Sequence, residues 1–370
     1  AERLLEIKSQ SHCRDLPSFQ SVLKFDELIQ GFKKTAPQNV IDIFYPIILW
    51  WDLTLYIPIR PIEFFTLKRT DLYQKEDGFY IHIPRALKSD PDEKRTHSIP
   101  LIDEYRITKE IYEEFRYYIT TLLSTNNQYI FNADKMHTKY PRDFIGIHMV
   151  QKLFDAFYTK VVEPVYGLTV VKKGTMDFLE ENEIEKINYG DTRHIAFINL
   201  LLSGYNPYTI AQMGGHRELN SQMSYYSSIA PYCTSKAYSL AMNRISAEFG
   251  DWQAVNQQHT SAIVRATTDL TQFREIEGGY CKSNNFPYDC YTSSCREGNC
   301  EHYIYGDFQS IEYDINKVRE EINKNAEVLK ALLYARPEDS TERNVACNKL
   351  NDRIEALSRL YEQKLRMTKE

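Results

Sequence analysis

No apolar run in the 370-residue chain reaches the roughly 18–20 residues that a membrane span requires. The nearest approach, Val40 to Leu55, is interrupted by Asp42, Pro46 and Asp52. An excess of positive charge is missing too: 45 Lys and Arg against 51 Asp and Glu leave a formal net charge of −6. A nucleic-acid partner therefore has to be argued from a local site, not from the whole chain. Solenoid-type repeats are absent. With 14 Gly and 14 Pro the chain is neither collagen-like nor wholly disordered. It opens Ala1-Glu2-Arg3 without an apolar signal core, so secretion is not expected. What is present is ordinary globular composition, 42% hydrophobic and 26% charged, at a length that predicts two or three domains.

Residues 1–34 read as a charged lead-in with helical spacing from Ser18 to Phe32. The apolar density from Asn39 to Trp51 predicts a buried helix, with Trp50 and Trp51 as packing residues, and a second helical stretch runs from Arg60 through Leu67 towards Asp71. The period then changes. Gly78 to Pro84 alternates as a strand, and Thr96 to Leu101 reads as its partner, with Lys88 to Arg95 as the connecting turn. Helical spacing returns at Ile107, Ile111, Phe115 and Tyr118, then over Phe144 to Val162. Ile195 to Leu202 reads as a core helix stopped by Ser203-Gly204 and Asn206-Pro207. Residues 236–275 look helical and polar. After them come four cysteines, then two apolar seams. Ile311, Ile315, Val318, Ile322, Leu329 and Leu332, with Asn325 as a polar seam position, form the first; Cys347, Leu350, Ile354, Leu357 and Tyr361 form the second. The break at 335–340 predicts a helical hairpin.

The chemistry concentrates in Gly190-Asp191-Thr192-Arg193-His194, Gly214-Gly215-His216 and Tyr225-Tyr226, with Arg60 to Glu63 upstream and Lys88 in the turn between strands. Two Arg, a Lys, a His and a Tyr without a carboxylate cluster suit metal-free phosphoryl transfer. Arg neutralises non-bridging phosphate oxygens through its planar fork. A Tyr hydroxyl can attack phosphorus and hold the covalent intermediate. A Lys can protonate the departing sugar oxygen. Metal-dependent nucleases would instead show several Asp and Glu converging on two ions. Arg193 stands before an apolar helix, where a charged side chain needs a partner or a ligand. His194 reads as structural, since on a helix it points about 100° away from Arg193.

These residues resemble the tyrosine recombinase (phage integrase) family. Ile59-Arg60-Pro61-Ile62-Glu63 with Leu67 and Asp71 is similar to that family's first Arg box, Thr192-Arg193-His194 to its second, and Met213-Gly214-Gly215-His216 to the box ending in Gly-His. The nucleophile commonly lies nine residues past that His, which selects Tyr225. Tyr226 stays open, because Tyr226-Ser227-Ser228-Ile229-Ala230 also resembles the residues that trail a nucleophile. The resemblance covers roughly residues 35–235 with the boxes in family order, and is greatest to the recombinases of site-specific and conjugative transposons.

That resemblance implies an α+β, mainly helical chain with a small antiparallel sheet. It also implies a catalytic domain over 35–235, to which the residue pattern adds a linker and Cys-rich segment over 236–306 and a helical hairpin over 307–370. Its function would be site-specific cleavage and rejoining of double-stranded DNA through a 3′-phosphotyrosyl link, the chemistry of type IB topoisomerases, with no catalytic cofactor. Expected partners are DNA, further copies of the chain assembled on it, and other recombination proteins of the same element. The expected location is cytoplasmic and nucleoid-associated in a prokaryotic-type host. A DNA-gripping domain is expected ahead of residue 1. Arg60, Arg193 and His216 would hold the phosphate, Tyr225 (or Tyr226) would attack, and Lys88 (or Lys94) would be the acid. One position departs from the pattern: the His of the second box is Gly190 here, which leaves the proton acceptor unassigned and keeps a non-catalytic DNA-binding regulator as the alternative.

Cys281, Cys290, Cys295 and Cys300 are nine, five and five positions apart. That spacing is looser than a zinc knuckle, yet in a polar loop with little core it predicts a structural zinc, with His302 as an alternative fourth ligand. Cys13, Cys233 and Cys347 read as plain thiols.

Overall fold

The computed structural model describes residues 15–85, 101–122, 127–132, 144–174, 179–180, 182–217, 219–249, 273–288, 290, 294–335 and 340–367. The chain is mainly helical with small sheets, the α+β class expected. It divides into two compact units, residues 1–228 with 333–340 and residues 229–332 with 341–370. Among the described residues no helix is long and apolar enough to cross a membrane.

In the first unit, α1 (Phe19–Thr35) starts at Ser18, whose hydroxyl accepts from the Ser21 amide at 3.2 Å. It buries Val22, Phe25, Leu28, Ile29 and Phe32, one stripe at helical spacing. The described part of the expected lead-in is therefore packed into the first unit. Trp51 donates its indole N–H to Asp26 at 2.8 Å, and the Glu185 amide donates to the Ser21 hydroxyl at 3.0 Å.

Helix α2 (Gln38–Thr54) carries the apolar density read from the sequence, and Trp50 and Trp51 are wholly buried in it as packing residues. The Phe25 ring stands edge-on to Trp51 with centroids 4.7 Å apart. Each such buried side chain contributes about 1.5–3 kcal/mol, and aromatic pairing adds about 0.5–1.5 kcal/mol. The far end of α2 also fixes the site. Trp50 donates to the Tyr189 carbonyl at 3.1 Å, and the Thr54 hydroxyl meets the Thr192 hydroxyl at 2.7 Å.

Helix α3 (Pro61–Phe65) is shorter than the sequence pattern predicts. It stops because the next residues pair elsewhere: the Arg69 amide donates to the Gln128 carbonyl at 2.9 Å, and the Ile130 amide to the Leu67 carbonyl at 2.8 Å. A three-stranded antiparallel sheet follows in the order β1 (Leu72–Lys75), β2 (Gly78–His82), β3 (Glu104–Ile107). Leu72 faces Ile81, and Ile81 faces Tyr105.

Strand β1 begins directly after the stretch read as helix, at residues to which the sequence pattern assigns no element. The expected partner strand at 96–101 has residues 96–100 outside the described set, and the third described strand begins at Glu104. Ile107 closes that strand rather than opening a helix, because the Thr108 hydroxyl caps α4 (Lys109–Tyr117) by accepting from Ile111.

Helix α5 (Ile147–Phe157) runs on through a wider π turn into α6 (Glu163–Tyr166). The pair β4 (Thr169–Val171) and β5 (Glu183–Glu185) is parallel, a feature the residue pattern did not show. Helix α7 (Asp191–Leu202), helix α8 (Pro207–Met213) and a 3₁₀ stretch over Leu219–Tyr226 complete the site.

In the second unit, α9 (Ile229–Phe249) spans the boundary expected at 235/236. Strands β6 (Arg274–Ile276), β7 (Gly279–Cys281) and β8 (Tyr303–Tyr305) form an antiparallel sheet. The helical hairpin is present as α10 (Phe308–Ala335) and α11 (Ser340–Met367), with Glu312–Lys364 and Glu321–Arg353 pairs across it in antiparallel register.

Its first seam differs in detail from the expected one. Ala326 and Leu333 are buried, whereas Asn325 and Leu332 are half-buried. A straight helix of 3.6 residues per turn drifts off a strict 3.5-residue repeat, so the seam takes a further step of four after Ile322. The second seam, Cys347 to Tyr361, is buried as read.

Candidate active site

Pro61 fixes the start of α3, and Arg60 caps it in extended backbone. The Glu63 carboxylate accepts from the Arg60 amide at 2.8 Å and from Arg60 Nη1 at 2.6 Å. This clamp turns the guanidinium towards the Gly214-Gly215 turn, where Arg60 Nη2 donates to the Gly215 carbonyl at 3.1 Å.

Arg193 reaches the same turn from α7. The start of that helix is held by Asp191, which is wholly buried, accepts from the Asn188 amide at 2.7 Å and pairs with Lys173. Arg193 is 2% exposed. It donates through Nη1 to the Pro58 carbonyl, through Nη2 to the Gly214 carbonyl at 2.6 Å and to His216 Nε2 at 2.7 Å, and through Nε to the Tyr225 hydroxyl at 2.9 Å. A guanidinium only donates, so His216 Nε2 is the acceptor and its ring proton sits on Nδ1. Burial weakens Arg193's hold on its proton, Tyr225 opposes that, and the neighbouring Arg60 charge reinforces it. The guanidinium nevertheless stays cationic at any working pH.

The turn has to be glycine. A Cβ on Gly214 would lie 2.3 Å from Phe197 Cζ, and Gly215 has a φ of +65°, the left-handed region. A Cβ at Gly215 would also come within 3.1 Å of Arg60 Nη1. His216 follows, 6% exposed, its amide bonded to the Ala211 carbonyl at 2.8 Å.

The two tyrosines part company. Tyr225 is half-buried, its ring stacked on Phe197 at 4.3 Å and flanked by His194 at 4.4 Å and His216 at 5.5 Å. Arg193 and Phe197 are one helical turn apart on α7, so one face of that helix holds both ends of the phenol. Tyr226 is wholly buried and donates to Gln222 Oε1 at 3.0 Å. The structure thus brings Arg60, Arg193, His216 and Tyr225 together and leaves Tyr226 in the core. Lys88 and Lys94 lie outside the described residues. Gly190 caps α7 and offers no imidazole. His194, read as structural, lies against the Tyr225 ring.

Sequence reasoning missed Arg85. Its Nη1 donates to Glu63 Oε2 at 3.1 Å, its Nε to the Ile102 carbonyl at 3.0 Å, and its Nη2 to the Met213 carbonyl and the Tyr105 hydroxyl. It is a strut behind Arg60 and the glycine turn. The available signal was a cation directly after the buried end of a strand, Ile83-Pro84-Arg85.

In comparisons with known proteins, no family model matches the chain, and no curated protein matches it. Arg60 commits two of its five N–H groups to the contacts above and has three left for a ligand, whereas Arg193 has one. An anion held by Arg60 beside the phenol oxygen is the arrangement these donors favour.

Proposed function

We propose that the chain is a site-specific DNA recombinase of the tyrosine recombinase type, an integrase or transposase of a mobile element. One observation carries the reading: the Tyr225 hydroxyl accepts from Arg193 Nε at 2.9 Å, beside a turn that also holds Arg60 and His216. Tyr225 Oη attacks the scissile phosphorus and the P–O5′ bond breaks. A 3′-phosphotyrosyl link forms and a 5′-hydroxyl leaves, taking a proton from Lys88 in the proposed scheme. Arg193 Nε–H points at the phenol oxygen, where negative charge grows as its proton passes to solvent water. Arg60 supplies N–H groups for the non-bridging oxygens. Attack by the 5′-hydroxyl of a partner strand reverses the step, so bond energy is conserved and strand exchange needs no ATP. Two duplexes must be joined, which calls for several copies of the chain on DNA.

A second reading, a DNA-binding regulator without cleavage, is favoured by Gly190 and by the single uncommitted donor of Arg193. Duplexes selected by binding, then nicked close to the cleavage position, separate the two. On the leading reading they trap a covalent protein–DNA adduct that Tyr225→Phe abolishes and Tyr226→Phe retains. Binding without any adduct supports the regulator. Both readings require affinity that falls steeply with salt, because phosphate contacts release counterions; a flat response removes the DNA assignment altogether.

A further inference from the structure

Cys281, Cys290, Cys295 and Cys300, where the sequence predicts a zinc, are free thiols, and among the described residues no three His, Cys, Asp or Glu side chains gather closely enough to hold a metal ion. The active-site histidine carries more. His216 has a fixed place directly after the left-handed Gly215, with its amide donating to the Ala211 carbonyl at 2.8 Å. Its imidazole stands perpendicular to the Phe197 ring, centroids 5.4 Å apart. A Cβ on Gly214 would lie 3.1 Å from His216 Cδ2, so glycine leaves the ring its room. Held this way and 6% exposed, the ring aims Nε2 at Arg193 Nη2, 2.7 Å away.

That contact has only one direction. Arg193 Nη2 carries two hydrogens and accepts nothing; one hydrogen goes to the Gly214 carbonyl at 2.6 Å and the other to His216 Nε2. The imidazole is therefore neutral, with its one proton on Nδ1. Nε2, the nitrogen at the tip of the side chain, is already used as an acceptor and has no hydrogen to offer a phosphate oxygen. A doubly protonated ring would set N–H against N–H across 2.7 Å, beside a second guanidinium on the same turn.

Arg193 depends on such acceptors, because a cation that is 2% exposed has little water to turn to. The four named above, the Pro58 and Gly214 carbonyls, His216 and the Tyr225 hydroxyl, are all uncharged. Gly214 and His216 together take both hydrogens of Nη2. They thereby fix the rotation of the guanidinium plane, and with it the line from Nε–H to the Tyr225 oxygen at 2.9 Å.

We propose that His216 is a positioning residue for strand cleavage: a neutral acceptor that sets the angle of Arg193 against Tyr225, and not a donor to the scissile phosphate. The cleavage role rests on the recombinase reading, whereas the direction of the hydrogen bond does not. The phosphate is left to the uncommitted N–H groups of Arg60 and the remaining one of Arg193. His216 takes up no proton during the attack, since its lone pair stays on Arg193.

The tautomer can be read by NMR on the full chain labelled with ¹⁵N at its nine histidines, the His216 signals being those lost from His216→Gln. A neutral ring protonated on Nδ1, unchanged when duplex is added, is expected. A ring protonated on Nε2 or on both nitrogens, free or with duplex bound, overturns the proposal. The nicked-duplex trapping assay supplies the functional half. His216→Leu should slow adduct formation about 100-fold, the cost of a small misplacement at a reacting group, while duplex affinity stays nearly unchanged. His216→Gln, whose Oε1 can accept from Arg193, should keep most of the rate.

A normal rate in His216→Leu overturns the proposal, as does a His216→Gln rate far below that of the unsubstituted chain, or duplex affinity falling in step with the rate. If the leucine variant fails to fold, the glutamine variant and the tautomer still decide. No adduct from the unsubstituted chain on a duplex it binds removes the recombinase reading and the cleavage role with it. The tautomer then separates that result from an error in the hydrogen bond.

Discussion

Arg85 Nη1 and Glu63 Oε2 stand 3.1 Å apart where the carboxylate is fully buried and the guanidinium is 5% exposed. Glu63 also holds Arg60, so this ion pair is the support of the exposed half of the site. Removing Arg85 leaves Glu63 with Arg60 as its cationic partner and takes a donor from the Ile102 and Met213 carbonyls. Arg85→Ala should therefore destabilise the first unit by about 1–3 kcal/mol, read as a lower urea midpoint. Arg85→Lys should recover only part of the loss, since one ammonium cannot replace a fork that reaches Glu63, Ile102, Met213 and Tyr105.

The two tyrosines should separate stability from chemistry. Tyr226→Phe removes a buried hydrogen bond to Gln222 and should cost about 1 kcal/mol in urea unfolding, with adduct formation retained. Tyr225→Phe should leave the unfolding midpoint nearly unchanged and eliminate the adduct. Adduct lost from Tyr226→Phe alone would transfer the nucleophile to that residue and require the 3₁₀ stretch to rearrange.

Gly214→Ala should act through a neighbour. Its Cβ would displace Phe197, and Phe197 carries the Tyr225 ring. An overpacking cost of about 1–3 kcal/mol is expected, together with a fall in adduct yield larger than the stability change explains. Gly215→Ala should cost about 1–2 kcal/mol from its left-handed backbone and press on Arg60. Chemical denaturation and the trapping assay, run on the same preparations, check both.

A pH effect is built into the first unit. Lys33 is shared by Asp52 at 2.5 Å and Glu114 at 2.7 Å. Burial, partly offset by the Lys33 hydrogen bond, pushes the Asp52 carboxyl up to about 7. The folded state thus holds a proton that the unfolded chain releases near the ordinary carboxylate range. The stabilisation is complete below that range and disappears as pH rises through about 7. Asp52→Asn should flatten the decline in melting temperature between pH 4.5 and 7.5, to about the extent that this one group governs it; an unchanged slope would count against it.

Helix α2 and the core of α7 were legible because dense apolar residues leave little choice but a buried helix. The convergence of Arg60, Arg193, His216 and Tyr225 was legible as an ordered set of boxes. The end of α3 was not, since Leu67 and Arg69 pair with Ile130 and Gln128, far along the chain, and local periodicity carries no trace of that. Strand β1 was hidden for a related reason: only Leu72 of its four residues is buried, so it shows no alternation. Arg85 escaped notice because two of its four partners are backbone carbonyls, which any sequence can supply, and the other two lie far from it in sequence.

The Tyr225 phenol is tethered to Arg193 of its own chain. On the proposed chemistry each subunit is then self-sufficient for breaking a strand. Mixing a Tyr225→Phe preparation with an Arg60→Ala preparation should yield no rescue, because neither protein can lend the other its missing half. An assembly built from such subunits would have its cutting order set by which member is switched on, not by which member donates a tyrosine.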